Sequence, residues 1–586
     1  IMKQNEIMFD KFKVKKPQRS TFSLSHKHET TVNIGDINCL HWNWCFPGDR
    51  FKIKYSFLCK FAPMIAPNFS RMRIKSEVFY VPLSDLYDHF HDVIMNYKEE
   101  SSTVRENGRE KSVNYTSLPS MMLSRFAFYF EHMPASYIVG SDFYENLKQH
   151  TDVQEYAIER LIHQIGIPFD ICRKKINSVN NPYCANSEYL DYVDTSVSPN
   201  VEHFNPQGSI RVNLAPFQAY QYVYNWYYRD SVRSPEIDCY PDISESPNVL
   251  RLVLLSNKSS DELGIYYQDD NVADINTFFN SLFQVRRRFY RKDYFNTAVG
   301  DPTVGVDSIQ VPDNIVDLRK ANQLQKFIEK QALAGNRIAE FIMSHWAYKS
   351  DDYELGRPIL ISSSSQNVQI SEVLQTSQTT TGVDDPSAQG TRSGVGNSYG
   401  NSNGSYFVAP DYGVLLINMS IVPEISYFSG LPRKLTPYRW EHFPWPEFAQ
   451  IGMQPIYDFE LSNSYHVGAW ETWGNQALTL ENQNVFGYAP RYSEYKMELD
   501  QVSGEMATSL RYWHQSPHME FKQQLNENFG LIGMVDYNMT SYVNLRQYYN
   551  QIFAVQSDNL GDHCQVIGLF DISVNRALPY NDMPAL

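Results

Sequence analysis

The residues of this chain that could do chemistry are histidines beside carboxylates and two clusters of cations. Their spacing limits what each can be. His89 and His91, flanked by Asp88 and Asp92, offer the donor atoms of a metal site. They fall in a helical pattern that opens near Ser84, and residues two apart on a helix project about 200° apart, so the imidazoles do not converge on one ion. That geometry reads as a solvated or interface helix. His26 and His28 would share one face of a strand, but no third ligand is spaced nearby. The sequence carries no Walker A loop, HExxH, G-x-S-x-G or dinucleotide fingerprint. Gly394-Val395-Gly396-Asn397 sits in low-complexity sequence with no strand before it and no helix after it, which is not a phosphate cradle. Among 66 acidic residues no pair stands out as acid and base. The pattern predicts no catalytic residue, no metal and no cofactor.

The cations point elsewhere. Between Ile1 and His28 stand Lys3, Lys11, Lys13, Lys15, Lys16, Arg19 and Lys27 against Glu6 and Asp10; this is +5, leaving −20 for the rest of a chain whose net charge is −15. A basic arm on an acidic body touches nucleic acid at one face only, because phosphate binding needs local neutralisation. Lys3, Lys11, Lys13, Lys15, Lys16 and Arg19 are therefore the DNA-facing candidates. A second cluster, Arg286, Arg287, Arg288, Arg291 and Lys292, interleaves with Phe289, Tyr290 and Tyr294. It could hold DNA by phosphate contact and base stacking, or it could form ion pairs at a subunit interface, where planar Arg forks meet carboxylates. Trp42 and Trp44 beside Phe46 read as packing or interface anchors rather than stacking platforms.

The elements that must position these groups are mostly strands. Aromatics reach 14%, with 40 Tyr and 34 Phe, which suits strands and contact surfaces. Arg50–Lys60 alternates Phe51, Ile53, Tyr55, Phe57 and Cys59 with Arg50, Lys52, Lys54, Ser56 and Lys60, placing one set toward a core and the other toward solvent or nucleic acid. Further strands are expected at Met72–Val81, Tyr412–Ile421, Tyr492–Leu499 and Gln565–Val574. Helices are expected from Ser84, from a capping box at Thr151 to a stop at Gly166, over Asn213–Tyr228, and over Asp317–Trp346. The run Ser362–Ser405 is rich in Ser, Thr, Gln, Asn and Gly; it lacks core-forming residues and should be mobile or lie extended over something else.

Early strands thus need late strands as partners. This predicts a mainly β fold, one sandwich with very long insertions containing several helices, rather than a string of modules. The expected layout is an arm over 1–28 and a single domain over 29–586, with excursions at 98–206 and 362–405. Seven cysteines without a CxxC pair fit a reducing environment. Ile1–Arg19 is basic without an apolar core, unlike a signal peptide, and no apolar run reaches the roughly 18 residues a membrane span needs.

Several segments, in order along the chain, resemble the major capsid proteins of Microviridae, in particular the gokushovirus-like branch. They begin with Thr31-Val32-Asn33-Ile34-Gly35-Asp36, Phe46-Pro47-Gly48-Asp49 and Ser76-Glu77-Val78-Phe79-Tyr80-Val81-Pro82. The most specific is Asn213-Leu214-Ala215-Pro216-Phe217-Gln218-Ala219-Tyr220, continuing to Asn225-Trp226-Tyr227-Tyr228-Arg229-Asp230. Arg286-Arg287-Arg288, Lys292-Asp293-Tyr294-Phe295, Gly335-Asn336-Arg337, Gln375-Thr376-Ser377, Gly430-Leu431-Pro432-Arg433, Phe486-Gly487-Tyr488 and Arg491-Tyr492-Ser493-Glu494-Tyr495-Lys496 follow.

The resemblance implies an eight-stranded viral jelly roll. It also implies a T=1 icosahedral shell of identical copies around a circular single-stranded DNA phage genome. Its implied partners are a scaffolding protein, a DNA pilot protein and a small basic DNA-packaging protein, with assembly in the bacterial host cytoplasm, residence in the virion and no membrane insertion. Gokushovirus subunits carry a large insertion between the Lys-Asp-Tyr-Phe element and the long helix, but here Asn296–Val316 is short. The extra length lies between Tyr97 and Asn213 and between Ser231 and Phe279, so a surface protrusion is expected at Lys98–Pro206. Composition alone leaves a rival of another class: an exported glycan-binding or glycan-cleaving β-sandwich, suggested by the Tyr and Trp content and the acidic charge.

Overall fold

The computed structural model describes residues 18–87, 90–95, 102–122 in part, 154–167, 190–194, 201–204, 211–229, 236–237, 282–288, 293–299 except 296, 315–334, 338–348, 356–374, 392–461 except 429 and 451, 485–516, 524–532 in part, 552–554 and 562–580. Its centre is a pair of antiparallel sheets. The strands are β1 (Ser20–Ser23), β2 (His26–Val32), β3 (Ile37–Cys45), β4 (Arg50–Phe61), β5 (Met72–Pro82), β6 (Ile359–Asn367), β7 (Gln369–Leu374), β8 (Arg392–Asn401), β9 (Ser405–Val408), β10 (Gly413–Pro423) and β11 (Cys564–Arg576). One sheet has seven strands: β11 pairs on one side with β1 and β2 and on the other with β4, which is followed by β8 with β9, and then β7. The other runs β6-β5-β10-β3.

Alternation builds the core. In β4 the residues Phe51, Ile53, Tyr55, Phe57, Cys59 and Phe61 are buried while Arg50, Lys52, Lys54 and Lys60 are exposed, as period two requires. These rings meet Val566, Phe570, Ile572 and Val574 from β11, and Ile74, Val78, Leu415 and Ile417 from the opposite sheet. The strand β10 is buried along its whole length. Its second face lies under helices, which explains an apolar run without alternation. There Phe79, Val414 and Leu416 pack with Leu161 and Ile162 of α3 (Gln154–Ile165) and with Phe217, Tyr220 and Val223 of α4 (Ala215–Val223). Helices therefore cover the four-stranded sheet, while the outer face of the seven-stranded sheet carries exposed lysines together with exposed Tyr399, Tyr406 and Leu569.

The polar run from Ser362 is extended, but it is built into the sandwich and not laid over it. It supplies most of β6 and all of β7 and β8, and reaches β9; residues 375–391 lie outside the described residues. Few apolar residues are needed, because backbone ladders carry these strands and glycines permit close packing. A Cβ on Gly394 would stand 2.7 Å from the Ala66 carbonyl oxygen, and one on Gly396 3.0 Å from the Phe61 ring.

Other elements depart in detail. The strand expected at Tyr492–Leu499 lies earlier, at Val485–Pro490, paired with Met453–Tyr457; Tyr492 turns left-handed at φ 62° and opens a short 3-10 turn. The helix from Ser84 is broken at Tyr87, which is extended at φ −153°, giving α1 (Leu83–Leu86) and α2 (Phe90–Met95). The long helical pattern is likewise two helices, Ile315–Ala334 and Ile338–Trp346. The expected Asn213–Tyr228 helix is α4 followed by a π turn over Tyr224–Tyr228. The α3 helix stops at Gly166, φ 117°. Cys39, Cys45, Cys59 and Cys564 are buried free thiols; the other three cysteines lie outside the described residues.

Where β2 crosses β3, the ring of His41 lies 4.7 Å from His26 and 5.5 Å from Phe570. Burial pushes its pKa down to about 3, helped by His26 and His28, so the folded state holds it neutral. An unfolded chain takes up that proton near the ordinary value of 6.5 and the folded chain does not. Stability contributed by neutral His41 is therefore full above 6.5 and is lost as pH falls toward about 3. Replacing His41 by Gln should flatten the urea-midpoint profile between pH 6.5 and 4; a variant as acid-sensitive as the parent would contradict this origin.

Candidate nucleic-acid and assembly surfaces

The arginine triplet is drawn into the body of the protein. Its backbone runs beside the start of β3: the Ile37 amide donates to the Arg286 carbonyl at 2.8 Å, and the Arg288 amide to the Gly35 carbonyl at 2.8 Å. Arg286 donates from Nε to Gln221 Oε1 at 2.8 Å and from Nη1 to Gln284 Oε1 at 2.9 Å. The buried Tyr220 hydroxyl links the same segment by donating to the Ile37 carbonyl, 2.7 Å. Arg288 grips both oxygens of Glu77 on β5, at 2.9 and 3.1 Å, donates to Ser420 Oγ on β10 at 3.1 Å, and lies 5.0 Å over the Tyr228 ring. Tyr228 Oη also donates to Glu77, and burial with that carboxylate raises its pKa well above the ordinary value. Arg287 sits 3.6 Å from Asp36 and is partly open.

So the forks of Arg286 and Arg288 meet partners within their own chain. Arg291 and Lys292 lie outside the described residues, as do Lys3, Lys11, Lys13, Lys15 and Lys16. Arg19, the described member of the arm set, donates from Nη1 to the Gly48 carbonyl at 2.6 Å and braces the turn before β4. His91 lies 3.7 Å from Asp411, His89 is outside the described residues, and no metal-binding cluster occurs among those described. Trp42 donates to the Ile165 carbonyl at 2.7 Å and packs edge-on against Trp44, 5.9 Å apart, as anchors do.

Sequence reasoning missed a second surface. After Gly430, whose missing side chain lets the backbone pass against Glu460, the chain forms three short 3-10 turns through Phe448. This ribbon leaves seven large apolar side chains in water, among them Leu435, Tyr438 and Trp440 at 71, 67 and 63% exposure. It is held firmly. Trp445 Nε1 donates to the Trp440 carbonyl at 2.8 Å, and Arg433 beneath it reaches Glu460 at 3.3 Å and Glu494 at 3.6 Å. Burial pushes the Glu460 carboxyl up, against the pull of Arg433. A cleft of about 180 Å³ opens alongside, lined by Tyr294, Tyr427, Pro432, Arg433 and Met497. The available signal was Trp440, Phe443, Trp445 and Phe448 recurring among prolines in a segment with no strand or helix period.

A preorganised apolar ribbon on the surface of a sandwich is the kind of patch that protein interfaces use, and comparison with known sequences gives the class of the chain. The chain belongs to the phage capsid protein (F protein) family, whose model matches residues 10–112 and 306–586. More narrowly, it is 23% identical over 569 residues to capsid protein VP1 of Chlamydia phage 1, spanning 87% of this chain and 89% of that one. Over 247 residues it is 28% identical to capsid protein VP1 of Bdellovibrio phage phiMH2K, spanning 40 and 43%. Over 218 residues it is 25% identical to capsid protein VP1 of Spiroplasma virus 4, spanning 35% of each. It is thus a gokushovirus-like Microviridae capsid protein, a virion component that self-assembles and not an enzyme. Membership decides against the exported sugar-binding alternative.

Removing the Arg288 fork leaves the mostly buried Glu77 carboxylate with the Tyr228 hydroxyl in place of a charged partner, which should cost about 2–3 kcal/mol, less than a fully buried broken pair. Arg288→Ala should lower the urea midpoint accordingly. Arg288→Lys, a single point charge in place of two parallel bonds, should recover only part of it. A neutral Arg288→Ala would mean that the clasp is not structural.

Proposed function

We propose that this chain is the major capsid protein of a small phage, a viral jelly roll whose copies close into a T=1 icosahedral shell around a circular single-stranded DNA genome. Assembly takes place in the bacterial host cytoplasm, with a scaffolding protein, a DNA pilot protein and a small basic DNA-packaging protein as partners. The observation that carries the shell reading is the ribbon Leu431–Phe448. Large aromatics fixed in water by hydrogen-bonded turns cost a lone chain solubility and fit the centre of an interface. Its charge is mixed, since Lys434 pairs with Glu498, so it suits protein better than phosphate.

The acidic body supports a packaging partner, because −20 outside the arm cannot neutralise DNA unaided. Lys3, Lys11, Lys13, Lys15 and Lys16 face the genome in this reading, and Arg291 and Lys292 serve either the genome or a neighbouring subunit. Sedimentation of particles from infected cells tests it. Trp440→Ala with Phe443→Ala should leave the thermal midpoint of the 68.0 kDa chain unchanged. It should cut particle yield about tenfold or more, as loss of interface anchors does. Normal yield from that variant would remove the ribbon as the assembly surface.

A further inference from the structure

The two sheets of the sandwich are finished differently, and the difference locates a surface. Helices and a second apolar cluster close the four-stranded sheet, whereas the seven-stranded sheet turns outward a face that carries a row of cations, with Leu58, Ile567 and Leu569 between Lys54 and Lys60. Arg50, Lys52, Lys54 and Lys60 occupy it from one strand, all exposed, and no ion pair joins them to a carboxylate among the described residues. From Arg50 to Lys60 this row runs about 34 Å along β4, at about 3.4 Å per residue.

The register says what flanks the row. Lys52 stands between Ser573 of β11 and Tyr406 of β9, and Lys60 between Gln565 of β11 and Asn397 of β8. Tyr399 lies opposite Leu58 and Tyr406 opposite Lys52, and these rings are 71 and 64% exposed. Asp571 opposes Lys54 and accepts a hydrogen bond from Ser25 Oγ at 3.1 Å, while Lys27 pairs with Glu29. Among the described residues of these strands, three positive charges remain in surplus on one face of a protein whose net charge is −15. The strands that follow the basic N-terminal segment in sequence, β1 and β2, belong to this same sheet, because both pair with β11.

We propose that this face is where single-stranded DNA lies against the subunit. Cations spaced along a strand neutralise a backbone that tracks across them. Exposed tyrosine rings offer stacking that only unpaired bases can accept, and the Ser, Asn and Gln positions between them bond phosphate or base edges without fixing sequence. A duplex would use the charges and leave the rings idle. The assignment rests on the reading that the shell encloses single-stranded DNA, and it names the residues that meet it.

The test is anisotropy of a labelled 30-nucleotide oligothymidylate titrated with the full-length chain over a salt series. The triple variant Lys52→Gln/Lys54→Gln/Lys60→Gln should weaken binding about tenfold or more near 0.1 M salt and lower the slope of log affinity against log salt by about 2. Tyr399→Ala/Tyr406→Ala should weaken it by about tenfold with the slope kept, and serves as the independent measurement if the charge variant folds poorly. A control losing the same charge on the Ile315–Ala334 helix, Arg319→Gln/Lys326→Gln/Lys330→Gln, should do neither. Binding unchanged in both sheet variants, an equal loss in the control, or no binding by the parent chain would overturn the assignment. If the triple variant kept DNA binding and lost particles, the face would belong to a second copy of the chain. Particle formation is scored separately, so failure here leaves the shell reading standing or falling on its own result.

Discussion

The sandwich depends on one ladder: the last strand must reach the first ones. Cys564–Arg576 pairs along its length with Arg50–Phe61 and on its other side with Ser20–Ser23 and His26–Val32. Without it the seven-stranded sheet loses its middle and Phe51, Tyr55 and Phe57 lose the cover of Phe570 and Ile572. Side chains reinforce the join. Arg160 spans from Asp36, 3.5 Å away, to Asp562, and the Asn33 side-chain oxygen accepts from the His563 amide at 3.2 Å. Such pairing across more than five hundred residues must wait for nearly the whole chain, and β topologies of this kind fold slowly. Both unpaired edges stand exposed meanwhile, which is a reason for the exposed strand face to be charged rather than apolar.

The second organising feature is the inward clasp of Arg286 and Arg288. A bidentate Arg–carboxylate pair under a helix fixes direction as well as energy. Here one guanidinium ties β5, β10 and the turn after α4 into a single register. The long excursion is thus anchored at its return to the sandwich before it can supply anything to a neighbour. Arg433 does comparable work under the aromatic ribbon, holding Glu460 and Glu494 from one side chain.

Much of this was legible from residue patterns, and the failures have physical causes. Alternation located β4, β5 and β11 to within about two residues, because a half-buried strand writes its burial into every second position. Gly166 located the end of α3 for the same kind of local reason, and the capping box expected at Thr151 lies outside the described residues. The polar strands β6 to β9 were not legible as strands, since their partners lie hundreds of residues away or across glycines whose use is visible only in three dimensions. The arginine triplet was visible as charge, but its direction was not: nothing in Arg286-Arg287-Arg288 says that Glu77 lies within reach. The ribbon escaped because exposure of aromatics is a property of the fold, not of the composition.

Strands β5 and β6 are hydrogen-bonded neighbours, with Tyr80 opposite Ile359 and Arg73 opposite Asn367. Everything between Pro82 and Ile359 is, topologically, the loop of one hairpin, and it amounts to nearly half the polypeptide. Loop-closure entropy grows only with the logarithm of length, so the stretches of this loop between its packed segments can be lengthened or shortened at small thermodynamic cost while both stems keep their register. The interval that the family model leaves unmatched, 113–305, falls inside it. Lineages built on this frame can therefore vary the lengths between the segments that return to the sandwich, while α3, α4 and the Arg286–Arg288 clasp stay tied to its strands.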